Sequence, residues 1–256
     1  MRAVLAAAIA ACLLAPAAAH AGTPSIVRPV DESGLTPAQL GEQLYAGNCL
    51  RCHGIAGRGS TAGLSSGVAG PPLRGVGARA ADFYLGTGYM PLDDAHDQPI
   101  RRWPLLNEKE RAAIVGYIAS LDDGPPIPRP DPGRGDVAEG RDLFTDHCAG
   151  CHQVAAVGGI LTGAKAPPLD RASPTEVAEA VRIGPYVMPE FSVRDISDEE
   201  LDSLIAYVQY AKDPEDAGGW GISHLGPVPE GMVTWVGAML VLVATCVAIG
   251  RRGARR

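Results

Sequence analysis

Aromatic residues are scarce in this chain of 256 residues: three Phe, three Trp and seven Tyr. Little ring bulk is therefore on hand for a core, while Gly (32) and Pro (22) are plentiful. Cysteine is limited to six residues. Four of them stand in two tight pairs, and Cys12 and Cys246 each lie alone in a terminal apolar run. No pair is left over for a structural bridge, which excludes a disulfide-stapled scaffold. Positive charge is also short, with 22 Lys and Arg against 29 Asp and Glu, a net charge of −7. An acidic balance disfavours nucleic acid and anionic lipid headgroups as partners.

The two cysteine pairs each continue into a histidine: Cys49-Leu50-Arg51-Cys52-His53 and Cys148-Ala149-Gly150-Cys151-His152. Cys-x-x-Cys-His is the attachment signal for c-type haem. Two thiols at this spacing can bond to two edges of one porphyrin, and the next residue offers an imidazole to the iron. A zinc ribbon also uses two Cys-x-x-Cys knuckles, but about 15–20 residues apart. Here 96 positions separate Cys52 from Cys148. Met90 follows His53 by 37 residues and Met188 follows His152 by 36. His plus Met is an axial pair of electron-carrying cytochromes c. The expected sites are thus two covalently bound haem c groups, held by Cys49, Cys52, Cys148 and Cys151, with His53, Met90, His152 and Met188 as iron ligands. A buried porphyrin also supplies the apolar bulk that the side chains lack. Met is a common gap-filler in cores, but matching distances in both copies favour ligation. No catalytic residue is singled out. His147, His96 and His224 are read as bystanders.

Long apolar runs occur at the ends. Met1 to Ala21 reads as an export leader, with Arg2, an apolar stretch from Ala3 to Leu14 and a small-x-small site at Ala19-His20-Ala21. A retained N-terminal anchor and a lipoprotein signal at Cys12 are the competing readings. Gly231 to Gly250 is 20 residues without a charge, long enough to cross a bilayer. Arg251, Arg252, Arg255 and Arg256 follow it and point to a cytoplasmic tail over 251–256. The preceding domains then lie outside the cytoplasm, anchored in the plasma membrane by a single span. Removing the leader's one positive charge and the tail's four from −7 leaves −12 for residues 22–230. That surface suits a basic partner and equally serves solubility.

An internal repeat organises the rest. The first unit spans 36–122 and the second 136–212, joined by a Pro-rich, semi-rigid linker over 123–135. Each unit opens with a helix that delivers the cysteines. Thr36 with Pro37 starts the first, and Asp136 with Glu139 in capping-box spacing starts the second. Gly41 and Gly140, each four residues before an aromatic, predict close approach of another helix. Each unit closes with a helix, 107–121 and 197–211, opened by Asn107/Glu110 and Ser197/Glu200. Tyr117 and Tyr207 hold equivalent places. Pro71-Pro72-Leu73 matches Pro167-Pro168-Leu169, and both methionines precede a proline. The expected fold is all-α: two tandem haem domains, then one C-terminal transmembrane helix.

These features resemble class I cytochrome c domains. A tighter resemblance rests on Gly70 to Gly77, Asp82 to Pro91, Gly184 to Pro189 and Gly226-Pro227-Val228-Pro229-Glu230-Gly231. They are similar to the dihaem cytochrome c subunit of the actinobacterial cytochrome bcc complex. That resemblance implies a respiratory menaquinol–cytochrome c reductase, with a cytochrome b subunit, a Rieske iron–sulfur protein and an aa3-type oxidase as partners. It maps the haem ligands onto His53 and Met90, and His152 and Met188. The chain then serves as an electron-transfer subunit, without catalysis of its own. The alternative is a membrane-anchored dihaem cytochrome serving a dehydrogenase or a cbb3-type oxidase. A dihaem peroxidase needs an open axial position, which a methionine for each haem argues against.

Overall fold

The computed structural model describes residues 25–60, 70–92, 99–214 and 227–253. The expected leader, with Cys12, and His96, His224, Arg255 and Arg256 lie outside these residues.

The first unit contains α1 (Pro37–Asn48), the short α2 (Leu50–His53), α3 (Gly77–Gly86) and α4 (Glu108–Ala119). The second contains α5 (Val137–His147), the short α6 (Ala149–His152), α7 (Pro174–Ile183) and α8 (Asp198–Tyr210). A final helix, α9, covers Pro227–Gly253. The mostly helical expectation holds, and the structure adds α3 and α7 between the opening and closing helices of the two units, where irregular chain is expected from the sequence. A two-stranded antiparallel hairpin, β1 (Gly159–Leu161) and β2 (Ala164–Ala166), follows α6. Gly163 turns it with a φ of +80°, where a Cβ is disfavoured.

The helix starts obey local chemistry. Thr36 accepts from the Gln39 N–H while the Gln39 side chain accepts from the Thr36 N–H, and Pro37 sits at the first position. Asn107/Glu110 and Ser197/Glu200 form full capping boxes. Asp136 caps Glu139 N–H at 2.8 Å, but the Glu139 carboxylate does not return the bond. It accepts from Ser203 Oγ on α8 at 2.7 Å, and Ser203 Oγ accepts the Asp136 N–H at 3.1 Å. The expected box is thus completed through a neighbouring helix.

The core of each unit is one crossed helix pair. Gly41 of α1 abuts the Ala113 carbonyl of α4, leaving no space for a Cβ. Gly140 of α5 abuts the Ser203 carbonyl of α8 in the same way. Backbone contact at these glycines brings aromatic pairs together: Tyr45 with Tyr117 at 5.1 Å and Phe144 with Tyr207 at 5.3 Å between ring centroids. Leu40, Leu44, Ile114 and Ile118 fill the first core, and Leu201, Leu204, Ile205 and Val208 the second. Each fully buried Leu or Ile is worth about 1.5–3 kcal/mol of transfer free energy.

The linker is fastened at both ends. Pro125 O accepts the Arg79 N–H at 3.2 Å, and Ile127 packs on the first core. Asp202 takes the Asp131 N–H at 2.7 Å and the Arg134 guanidinium at 3.0 Å. Residues before α1 also strap the first unit, through Arg28 and Glu110 at 2.6 Å. Among the described residues, one helix is long and apolar enough to cross a membrane: Glu230–Arg252, wholly unburied within the protein.

Candidate haem centres

The same backbone path delivers each cysteine–histidine group. The Cys49 N–H closes on Tyr45 O and the Cys148 N–H on Phe144 O, both at 2.8 Å. One turn of helix follows. Cys52 and His53 donate back to Cys49 O at 3.1 and 2.9 Å, and Cys151 and His152 to Cys148 O at the same distances. Residues three apart on a helical turn share a face, so both thiols of a pair project together. Gly54 and Gln153 then end the turn at positive φ, +72° and +59°.

The histidine rings are held by a contact that the sequence did not disclose. His53 Nδ1 lies 2.8 Å from Pro71 O, and His152 Nδ1 lies 3.0 Å from Pro167 O. A carbonyl oxygen only accepts, so Nδ1 carries the proton and Nε2 keeps its lone pair for a metal. The paired prolines explain the acceptor. A residue before proline is biased toward extended backbone, which disfavours a helical turn there and leaves the first proline's carbonyl available to the ring. The next residue anchors the strap: Leu73 donates to Gly57 O at 2.8 Å and Leu169 to Ala156 O at 2.9 Å. Burial also pushes the His152 imidazole below its ordinary value, opposed by the bond to Pro167. A neutral ring is the state a metal ligand requires. Burial pushes the Cys49 and Cys148 thiols up to about 12, with the partner cysteine adding to it in each case.

In the second unit Cys148, Cys151, His152 and Met188 all line one open-mouthed cavity. Its wall is predominantly apolar, with Val177, Val181, Leu204 and Val208 among the contributors. A large apolar cavity with two thiols, a fixed imidazole lone pair and a thioether fits a haem c. In the first unit Cys49 and Met90 pack against the same core cluster, and Met90 donates its N–H to Tyr84 O at 3.0 Å.

Loops present both methionines. α7 ends at Gly184, in left-handed conformation, where a Cβ would strike the Glu190 backbone. Met188 then donates to Pro185 O at 3.1 Å. Arg182, 7% exposed, fixes the chain beyond the methionine. Its guanidinium donates to Phe191 O, Ser192 O and Ile196 O at 3.1, 3.1 and 2.8 Å, and to Asp198 at 2.8 Å. An arginine in an amphipathic helix carries no sequence sign of this role. His147 is exposed, as expected, although its ring meets Phe191 at 5.7 Å at the edge of the cavity.

Comparison with known proteins agrees with this geometry. Residues 38–122 match the cytochrome c family profile. Residues 135–208 match the profile described as cytochrome c oxidase, cbb3-type, subunit III. A cytochrome bc1 complex cytochrome c subunit of Corynebacterium diphtheriae is 38% identical over 240 residues, covering 87% of this chain and 83% of its own. The protein of the same name from Mycobacterium bovis is 35% identical, covering 88% and 82%. A Cbb3-type cytochrome c oxidase subunit CcoP of Azospirillum is 28% identical over 66% of this chain and 60% of its own.

Proposed function

The chain belongs to the cytochrome c subunits of the cytochrome bc1 complex, and on that premise we propose how its residues serve a respiratory quinol–cytochrome c reductase. Two haem c groups are bound, one through Cys49 and Cys52 and one through Cys148 and Cys151. His53 with Met90, and His152 with Met188, ligate the two irons. Each haem supplies reversible one-electron chemistry. The protein's part is to hold the ligands, exclude water and present docking surfaces.

His53 and His152 each keep their Nδ1 proton on a proline carbonyl, which fixes the ring and would leave the Nε2 lone pair to hold a haem iron. That shared contact, at 2.8 and 3.0 Å, is the observation that carries the reading. Hydrogen bonding of the distal ring nitrogen also raises ligand basicity. Met90 and Met188 contribute thioethers, which raise the potential relative to a second imidazole. Electrons enter at the first unit, 36–122, from a Rieske iron–sulfur protein beside a cytochrome b subunit. They cross to the second unit, 136–212, held by the linker 123–135, and leave towards an aa3-type oxidase. The span 231–250 anchors both units on the outer side of the plasma membrane, with residues 251–256 in the cytoplasm and a leader over 1–21.

The reading as a cbb3-oxidase or dehydrogenase partner has one support, the likeness of residues 135–208 to a cbb3-type subunit. Purification through a tag on this chain tests the choice. Cytochrome b and Rieske subunits in the same complex support the reductase; a cbb3 oxidase or a dehydrogenase in their place contradicts it.

A further inference from the structure

The second unit does not wall its cavity alone. Phe83, Thr87, Tyr89, Pro99 and Arg101, all from the first unit, line it as well. They reach it because α3 packs across the seam on α7. Phe83 is 4% exposed, and the Tyr89 ring meets it edge-on at 5.8 Å. Tyr84 closes the group, 5.4 Å from Phe83 and 6.4 Å from Tyr89. The buried Thr87 hydroxyl donates to Phe83 O at 2.6 Å, so its proton is already engaged at this wall.

Side chains on both sides clamp the seam. Arg101 donates to both carboxylate oxygens of Glu176 at 3.1 and 3.0 Å and to Arg171 O at 3.2 Å. The Arg171 guanidinium lies over the Trp103 ring, 5.2 Å from its centroid. Tyr89 is joined by one peptide bond to Met90, the candidate ligand of the first site. One residue therefore forms wall for the second site and is covalent neighbour to the ligand of the first.

We propose that the first unit completes the second haem pocket, and that Tyr89 is the positioning residue that closes it to water and links the two sites. The proposal rests on the reading of both sites as His/Met haem centres. A dry, low-dielectric surrounding disfavours the more highly charged ferric form, so closure raises the second site's potential. With a haem held at each site, the electron given up by one would be taken up by the other across this seam, and no bond would be made or broken.

The test uses the full chain in detergent, carrying Tyr89→Ala, Tyr89→Phe or Phe83→Leu. Potentials of the two sites are read by spectroelectrochemistry, with the second assigned as the one that moves in Met188→His. Sulfur-to-iron charge-transfer absorption reports ligation, and light-triggered reduction reports exchange between the sites. Tyr89→Ala shifts the second site to lower potential and slows the exchange, with the Met188 band retained. Tyr89→Phe restores both, because the ring fills the wall. Phe83→Leu, which is not adjacent to Met90, shifts the second site in the same direction. An unmutated chain lacking a sulfur band contradicts the ligand reading and the proposal with it. Two intact bands and a second-site potential indifferent to both Tyr89→Ala and Phe83→Leu overturn the proposal alone.

Discussion

Tyr45 and Tyr207 hold the loop after each candidate ligand histidine from opposite sides of their helix pairs. In the first unit the Tyr45 hydroxyl, on α1, donates to Gly54 O at 2.7 Å and accepts the Gly57 N–H at 3.0 Å. In the second unit the equivalent position is Phe144, and the hydroxyl comes from α8 instead. Tyr207 donates to Val154 O, again at 2.7 Å. The ring pair is kept and the hydroxyl has changed partner within it.

Removing either hydroxyl leaves a loop carbonyl without its donor. Tyr45→Phe and Tyr207→Phe should each cost about 1–3 kcal/mol, read as a lower urea midpoint. Tyr45→Phe should cost more, because it also orphans the Gly57 N–H and its side chain is 1% exposed against 6% for Tyr207. Equal midpoints for both variants and the parent would show that the loops are held by other contacts.

Replacing one thioether by imidazole separates the two sites. Met90→His or Met188→His should lower the potential of its own site while keeping six ligands on the iron. The sulfur-to-iron absorption of the oxidised protein should fall by about half in each variant, since one of two such bonds is lost. An unchanged spectrum in either would assign that methionine to packing.

A buried carboxyl makes the seam sensitive to pH. Glu179 of α7 is 0% exposed, and neither of its oxygens has a hydrogen-bond partner. Burial pushes it up to about 8, reinforced by Asp82 and Glu176 and opposed by Arg111 and Arg79. The folded value lies above the unfolded one, so the folded chain keeps a proton that the unfolded chain releases. Its contribution to stability is fully present below about pH 4.5, declines as pH rises, and is lost once pH passes about 8. The decline amounts to a few kcal/mol, on the order of 1.4 kcal/mol per unit. Glu179→Gln should flatten the fall in urea midpoint between pH 6 and pH 8. A fall of the same size in the variant would place the titrating group elsewhere.

The C-terminal helix supplies the attachment. Truncation before Pro229 should release both haem units from the membrane, provided that the leader is cleaved. The released protein should still accept electrons from a chemical reductant and lose quinol-dependent reduction, because the span no longer holds the first site near its donor. Full quinol-dependent turnover by the dilute fragment would identify an independent shuttle.

Much of this architecture could be read from local signals. Gly41 and Gly140 announced the helix crossings, because only a missing Cβ permits backbone contact there. The Thr36, Asn107 and Ser197 caps depend on residues three apart and need no tertiary knowledge. The box of Ser173 and Glu176 that starts α7, with Pro174 at its first position, rests on the same three-residue spacing. Other features were beyond local reading. Strands of three residues carry too little pattern to distinguish β1 and β2 from a loop. Glu139 turns to Ser203, Arg182 gathers three carbonyls, and Tyr89 reaches the second cavity only because distant segments meet. The cysteines, histidines and methionines named from spacing are brought together in the second unit around one cavity. The proline carbonyls that orient both histidines emerged only from the folded chain.

One chain should carry two covalently bound haems, one in each unit. Mass spectrometry of the purified, denatured chain tests it most directly. The expected mass is that of the processed polypeptide plus two haems, falling to one haem when Cys49 and Cys52 are both replaced by Ala. A parent chain that carries one haem or none after denaturation would contradict it.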